Sequence, residues 1–208
     1  MGPADRKITE GQARIATLKP RDKHDIVIVQ EKLDGSNVGV AMKDGMIFAL
    51  SRAGYEAKTS PYTQHHAFSD WVYENEDRFR AVLRDGMRIC GEWLHTAHGT
   101  IYKLPHEPFV AFDLINCENK RATYSEFSDK VGKEFVLPYL VSIGGPMSVA
   151  DALDSLGDYG HHGATEQIEG AIWRVERKDI VDYLCKYVRP DKVDGKYLDG
   201  EPMLNSWK

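Results

Sequence analysis

Cysteine is scarce in this chain: Cys90, Cys117 and Cys185 are its only three, far apart and without a Cys-x-x-Cys pair. That excludes a disulfide framework and a cysteine zinc site, and it suits reduced thiols in a cytoplasmic protein. Long apolar runs are missing too, none reaching the roughly 18 residues of a membrane span. The first residues, with Asp5, Arg6, Lys7 and Glu10, are too polar for a secretory signal. No membrane partner is expected. Positive charge is not in excess: the formal net charge is -5, so the chain does not coat nucleic acid by bulk electrostatics. A nucleic-acid partner would need a local basic groove. Repeats, low-complexity tracts and Pro/Gly/Ser linkers are also absent. At 208 residues, 42% hydrophobic and 28% charged, the chain reads as one globular domain over 1–208.

What is present is a series of strands. Ile26-Val27-Ile28-Val29 is a β-branched run that should end near Lys32 and break at Asp34-Gly35. Val38, Val40 and Met42 alternate, Asp44-Gly45 turns, and Ile47 and Ala49 return towards Ser51-Arg52, a hairpin pattern. Pro61 opens a helical stretch in which Phe68, Trp71, Val72, Phe79, Val82 and Leu83 recur at helical spacing up to Gly86. Strands are predicted over Met87–Leu94, Phe109–Asn116 and Phe135–Val141, a short helix over Ser148–Leu156, and a final hairpin from Thr165–Val175 and Ile180–Val188. Most strand connections are too short for crossover helices. The fold class is therefore α+β, with mostly antiparallel sheets and flanking helices.

Polar groups interrupt these strands where a sheet interior should be apolar. Lys32 ends the first, Arg52 follows the hairpin, and Glu92 follows Gly91 within Ile89–Leu94. Phe112-Asp113 lies inside Phe109–Ile115, Glu169-Gly170 precedes Ala171-Ile172-Trp173, and Lys186 lies within Leu184–Arg189. Alone, each is an ordinary strand residue facing solvent, or for Phe112 facing the core. A lysine at a strand end can instead point its amine into a pocket and act as a nucleophile.

In order and spacing these segments resemble the signature of the covalent nucleotidyltransferase superfamily, the polynucleotide ligases and messenger-RNA capping enzymes. Lys32-Leu33-Asp34-Gly35 is similar to its first motif, Ser51-Arg52 to the arginine that follows, and Gly91-Glu92 to the third motif. Phe112-Asp113 is similar to the aromatic motif, Glu169-Gly170 to the fourth and Lys186 to the fifth. The Ser36-Asn37 pair and Phe-Val-Ala-Phe-Asp most resemble the RNA-ligase branch. The resemblance implies an ATP-grasp-like adenylation domain and an ATP-dependent RNA ligase. Such an enzyme forms a Lys32–AMP phosphoramidate, passes AMP to a 5′-phosphate end and joins that end to a 3′-hydroxyl.

It also implies residue roles. Lys32 is the nucleophile and Lys186 stabilises charge on the α-phosphate. Glu31, Asp34, Gly35, Asn37, Arg52, Glu92, Phe112 and Glu169 surround the nucleotide. Among these, Phe112 stacks on adenine, Arg52 and Glu92 lie by the ribose and phosphates, and Glu31 reaches the adenine edge. Glu169 orients Mg2+, or Mn2+ in its place. Attack by Lys32 needs an unprotonated amine, whereas a free lysine has a pKa of about 10.4. Reaching 7 takes roughly 3 units, or about 4–5 kcal/mol, from desolvation, a nearby cation such as Lys186 and the metal. Asp34 would act against this if it touched the amine, so it is expected to face an arginine or backbone donors.

Two departures stand out. The fifth motif commonly carries two lysines one residue apart, and here the earlier position is Leu184, which leaves Lys186 alone or paired with Arg189. Few residues follow Arg189, so no OB domain is expected, which disfavours a capping enzyme and leaves room for a partner protein supplying a C-terminal module. A minimal DNA ligase and a non-catalytic nucleotide- or nucleic-acid-binding module are the alternatives. Arg174, Arg177, Lys178, Arg189, Lys192 and Lys196, with Trp173, Tyr183, Tyr187 and Tyr197, could form a strand-binding groove or merely solvated hairpin faces. His65-His66, His161-His162 and the His95, His98 pair lack the cysteine company of a zinc site, although His95 and His98 could line the mouth of the site.

Overall fold

Thr9 starts the first helix, α1 (Glu10–Thr17), through a capping box in which its hydroxyl accepts the Gln12 N–H and Gln12 returns the bond. The computed structural model describes residues 7–198 and 200–208; residues 1–6, with Asp5 and Arg6, and residue 199 of the expected 1–208 domain lie outside the described residues. The β-branched run becomes β1 (Asp25–Lys32), which ends on Lys32. Residues 33–35 then carry the chain to β2 (Ser36–Lys43), which belongs to a different sheet. Asp34-Gly35 is thus a passage between sheets, while Asp44-Gly45, both at positive φ, makes the tight hairpin turn to β3 (Met46–Ser51).

The stretch after Pro61 forms two helices, α2 (Thr63–Glu74) and α3 (Glu76–Val82), divided at Asn75, whose side-chain amide donates to the Trp71 carbonyl at 2.9 Å. β4 (Arg88–Trp93), the short β5 (Lys103–Leu104) and β6 (Phe109–Ile115) follow. Helix α4 (Tyr124–Val131) opens on a second capping box, Thr123 with Glu126. Then come β7 (Leu140–Gly144), α5 (Val149–Leu156), β8 (Gly170–Arg177), β9 (Ile180–Val188) and β10 (Ser206–Trp207). The strand predicted over 135–141 starts later, because Pro138 has no N–H to give a ladder. The final hairpin likewise begins at Gly170; residues 165–169 are irregular, with Thr165 N–H bonded to the Ile101 carbonyl.

Two antiparallel four-stranded sheets result, β7-β1-β8-β9 and β3-β2-β4-β6, while β10 and β5 pair in parallel. Helices α2 and α3 bury Phe68, Val72, Phe79 and Val82 with Val38, Val40, Ile89 and Phe109 of the second sheet. Helices α1 and α5 bury Ala16, Ala152 and Leu156 with Val27, Val29, Trp173 and Val175 of the first. β1 sends Ile28 into one core and its neighbours Val27 and Val29 into the other, which explains a continuous apolar run rather than an alternating one. No helix among the described residues is long and apolar enough to cross a membrane.

Candidate active site

Side chains opposite one another in an antiparallel pair share a face, and so do residues two apart on a strand. Gln30 faces Ile172, and Ile172 faces Lys186; Lys32 faces Gly170, and Gly170 faces Val188. Lys32 and Lys186 therefore project from the same face of the first sheet, with Lys186 exposed on it. Glu31 is carried to the opposite face. It is 2% exposed there, beneath the 160–161 turn, with Oε2 accepting the His161 N–H at 2.9 Å. Strand alternation thus separates the Glu31 side chain from that of Lys32.

Lys32 Nζ lies 2.5 Å from Glu169 Oε2 and also donates to the Leu33 carbonyl at 3.2 Å. Its side chain is 17% exposed and that of Glu169 13%. Glu92 reaches in from β4, its Oε1 accepting the Gly35 N–H at 2.9 Å, and Asn37 stands opposite it on β2. Burial pushes the Lys32 amine down, but the charges of Glu169, Glu92 and Asp34 outweigh it, and the net direction is up. Burial also raises Glu169, against the pull of Lys32, and lifts Glu92 to about 7. These carboxylates favour the charged form of the amine.

Asp34 turns away from the amine towards a backbone donor, with Oδ2 accepting the Gly99 N–H at 2.8 Å. Its charged partner is Lys192 rather than an arginine, also at 2.8 Å. Phe112 is the residue of β6 left unpaired where the register shifts opposite Cys90 and Gly91, the kind of bulge that re-aims a side chain. Arg52 is exposed just beyond β3. His98 Nε2 lies 3.2 Å from Ser36 Oγ and 3.1 Å from Gln64 Oε1, beside the first motif, whereas the His95 ring stacks on Trp93.

Three of the cations expected in the basic C-terminal groove, Arg174, Arg189 and Lys192, are engaged within the protein. Arg174 is 1% exposed and donates to Asp113 Oδ1 at 2.8 Å, so it is closed to any strand. Arg189 is fastened to the Ile168 carbonyl at 2.6 Å and to Asp191 at 3.1 Å. The Lys192 side chain is 5% exposed. Charge counts from sequence cannot show that such cations are consumed internally. Sequence reasoning also missed Tyr102 and Asn205, both buried and polar-bonded: the Tyr102 hydroxyl accepts the Asp34 N–H at 3.1 Å, and Asn205 Oδ1 accepts the Tyr102 N–H at 2.8 Å. Among the described residues no group of three or more His, Cys, Asp or Glu is arranged to hold a metal ion. His65 and His66 both turn to Ser60.

A model of the RNA ligase family matches residues 25–188. Comparison with curated protein sequences gives no match. Among solved structures, a mutant of Naegleria gruberi RNA ligase with ATP and Mn has a TM-score of 0.59 at 17% identity, covering 80% of this chain and 50% of that one. Another mutant of it, with AMP and Mn, has a TM-score of 0.58 at 16% identity, with coverages of 80% and 50%. An archaeal ATP-dependent RNA ligase has a TM-score of 0.51 at 22% identity, with coverages of 79% and 42%. At these identities the likeness is one of fold, and the chain spans about half the length of the ligases it matches. The fold is the nucleotidyltransferase type, and the family match spans every strand from β1 to β9: this chain belongs to the RNA ligase family.

Proposed function

We propose that the chain is an ATP-dependent RNA ligase whose domain over 1–208 carries the nucleotidyl-transfer chemistry, with Lys32 as the nucleophile. The observation that carries this is a lysine at a strand end, mostly buried, with its amine 2.5 Å from the Glu169 carboxylate and Glu92 close by. Nζ attacks the α-phosphorus of ATP, an N–P bond forms, and the P–O bond to the pyrophosphate leaving group breaks. The amine must shed a proton, and Glu169 Oε2 is the nearest acceptor. AMP then passes to a 5′-phosphate on an RNA strand, and the 3′-hydroxyl of a second strand displaces it.

Mg2+ or Mn2+ fits the donor set, since Glu169 and Glu92 offer hard carboxylate oxygens next to the reacting amine. A bound Mg2+ or Mn2+ would be held by these carboxylates and would supply positive charge that offsets the phosphates. Lys186, on the face of Lys32, is assigned to the α-phosphate, Phe112 to the adenine face, Arg52 to the phosphates, and Glu92 with Asn37 to the ribose. Three free cysteines support a reducing, cytoplasmic setting.

The test is incubation with magnesium and α-labelled ATP or GTP, followed by a denaturing gel, for wild type and Lys32→Ala. Label retained from ATP by wild type and lost in Lys32→Ala is the expected result. Label from GTP alone would move the protein to capping chemistry. No label from either, on folded protein, would leave a binding module.

A further inference from the structure

The segment after Arg189 is a strap stitched across the 95–104 stretch. Tyr197 N–H donates to the His98 carbonyl at 2.7 Å, Ala97 N–H to the Met203 carbonyl at 2.9 Å, and Asn205 N–H to the His95 carbonyl at 2.9 Å. Asn205 Nδ2 adds a bond to the Leu94 carbonyl at 2.8 Å, and Ser206-Trp207 pairs with Lys103-Leu104. At its near end the strap inserts Lys192. The ammonium meets Asp34 Oδ2 at 2.8 Å and bonds Thr100 Oγ1, with both ionic side chains under a tenth exposed.

The backbone at Gly99 is pressed between these parts. A Cβ there would lie 2.5 Å from the Val193 carbonyl oxygen, 2.9 Å from Lys192 Cε and 3.0 Å from Asp34 Oδ2. The strap closes on Asp34 only because residue 99 has no side chain.

Resting on the lysyl-AMP reading, we propose that Lys192 is a positioning residue of the active site, a tethered counter-charge that keeps Asp34 on the 99–100 turn and off the Lys32 amine. Asp34 is two residues from Lys32, which already faces Glu169 and Glu92. Around Asp34 stand Lys192, the Tyr102 hydroxyl, and His98, which feels both Asp34 and Asp194. Without Lys192 the strongest cation within reach of the Asp34 carboxylate is the nucleophile itself. A third carboxylate on that amine would hold it and repel the incoming triphosphate.

A double-mutant cycle separates this role from a purely structural ion pair. Lys192→Ala, Asp34→Asn and the double variant are assayed for the rate and half-saturating ATP concentration of label formation, alongside their thermal midpoints. Lys192→Ala should slow labelling about tenfold or more, as expected when one partner of a buried charge pair is removed. Millimolar ethylammonium, but not tetramethylammonium at equal ionic strength, should restore part of the rate. In the Asp34→Asn background the same change should cost less than about threefold, because the carboxylate it restrains is gone. Equal losses in both backgrounds would mean that Lys192 acts on the nucleotide directly and would overturn the proposal, as would an unimpaired Lys192→Ala. If Lys192→Ala alone does not fold, the double variant lacks both charges and decides against Asp34→Asn: a further loss of about tenfold sinks the idea. Absence of label from wild type overturns the ligase reading and this proposal together, whereas a labelled wild type isolates the failure to Lys192.

Discussion

Glu31 is held in surroundings that suit a neutral acid better than an ion. One carboxyl oxygen accepts the His161 N–H, and the other is buried without a hydrogen-bond partner among the described residues. Burial raises its pKa to about 7 from 4.5. Between those values the folded chain keeps a proton that the unfolded chain has lost. Its contribution to stability is therefore full below about pH 4.5 and is lost as pH rises through 7. Glu31→Gln removes the titration while keeping the shape. Relative to wild type it should gain up to about 3 kcal/mol between pH 5 and 8, from 1.4 kcal/mol per pKa unit. Urea denaturation of both proteins across that range measures it, and parallel profiles would show that Glu31 is already solvated.

Gly170 opens β8, immediately after Glu169, and its Cα faces the Tyr187 carbonyl so closely that a Cβ would collide with it. Gly170→Ala should push β8 away from β9 and misplace Glu169, cutting label formation by more than about tenfold; a misplacement of about 1 Å costs on that scale. Gly145→Ala, where a Cβ meets nothing within 4 Å, should leave labelling unchanged. Equal activity in the two variants would show that the β8–β9 contact does not set the position of Glu169. This close approach was not legible in the sequence, although the strand and its Glu-Gly pair were. Local pattern revealed β1, the β2–β3 hairpin, β4, β6, α5 and β9, because each carries its periodicity and stop signals within a few residues. The Thr123-x-x-Glu126 capping box is an equally local signal for α4. What local pattern cannot carry is partnership between distant segments. Lys192 reads as one more surface lysine until the strap is seen, and Arg174 as a groove cation until it is found under the sheet.

Arg174 also explains why the two halves of the site share one frame. It rises from β8 in the first sheet and donates to Asp113 Oδ1 at 2.8 Å and to the Phe112 carbonyl at 3.3 Å, both on β6 of the second. A third bond, to the Ala122 carbonyl at 3.1 Å, fixes the approach to α4. Lys32 and Lys186 belong to one sheet, with Glu169 at the mouth of its strand β8, and Glu92 and Phe112 belong to the other; this guanidinium joins the two between buried strands. Breaking a buried pair from one side typically costs 3–5 kcal/mol. Because Arg121 also holds Asp113, at 2.5 Å, Arg174→Met should sit at the lower end, about 3 kcal/mol. Adding Asp113→Leu removes the nearer stranded charge, leaving Glu176 at 3.9 Å from the Arg174 guanidinium, and should recover part of that loss, since apolar replacement of a buried pair is often neutral. Urea midpoints of the single and double variants measure both effects. If the double variant is no more stable than the single, shape rather than charge joins the sheets there. If stability returns but labelling stays slow, the bridge serves chiefly to hold Phe112 and Glu92 in register with Lys32.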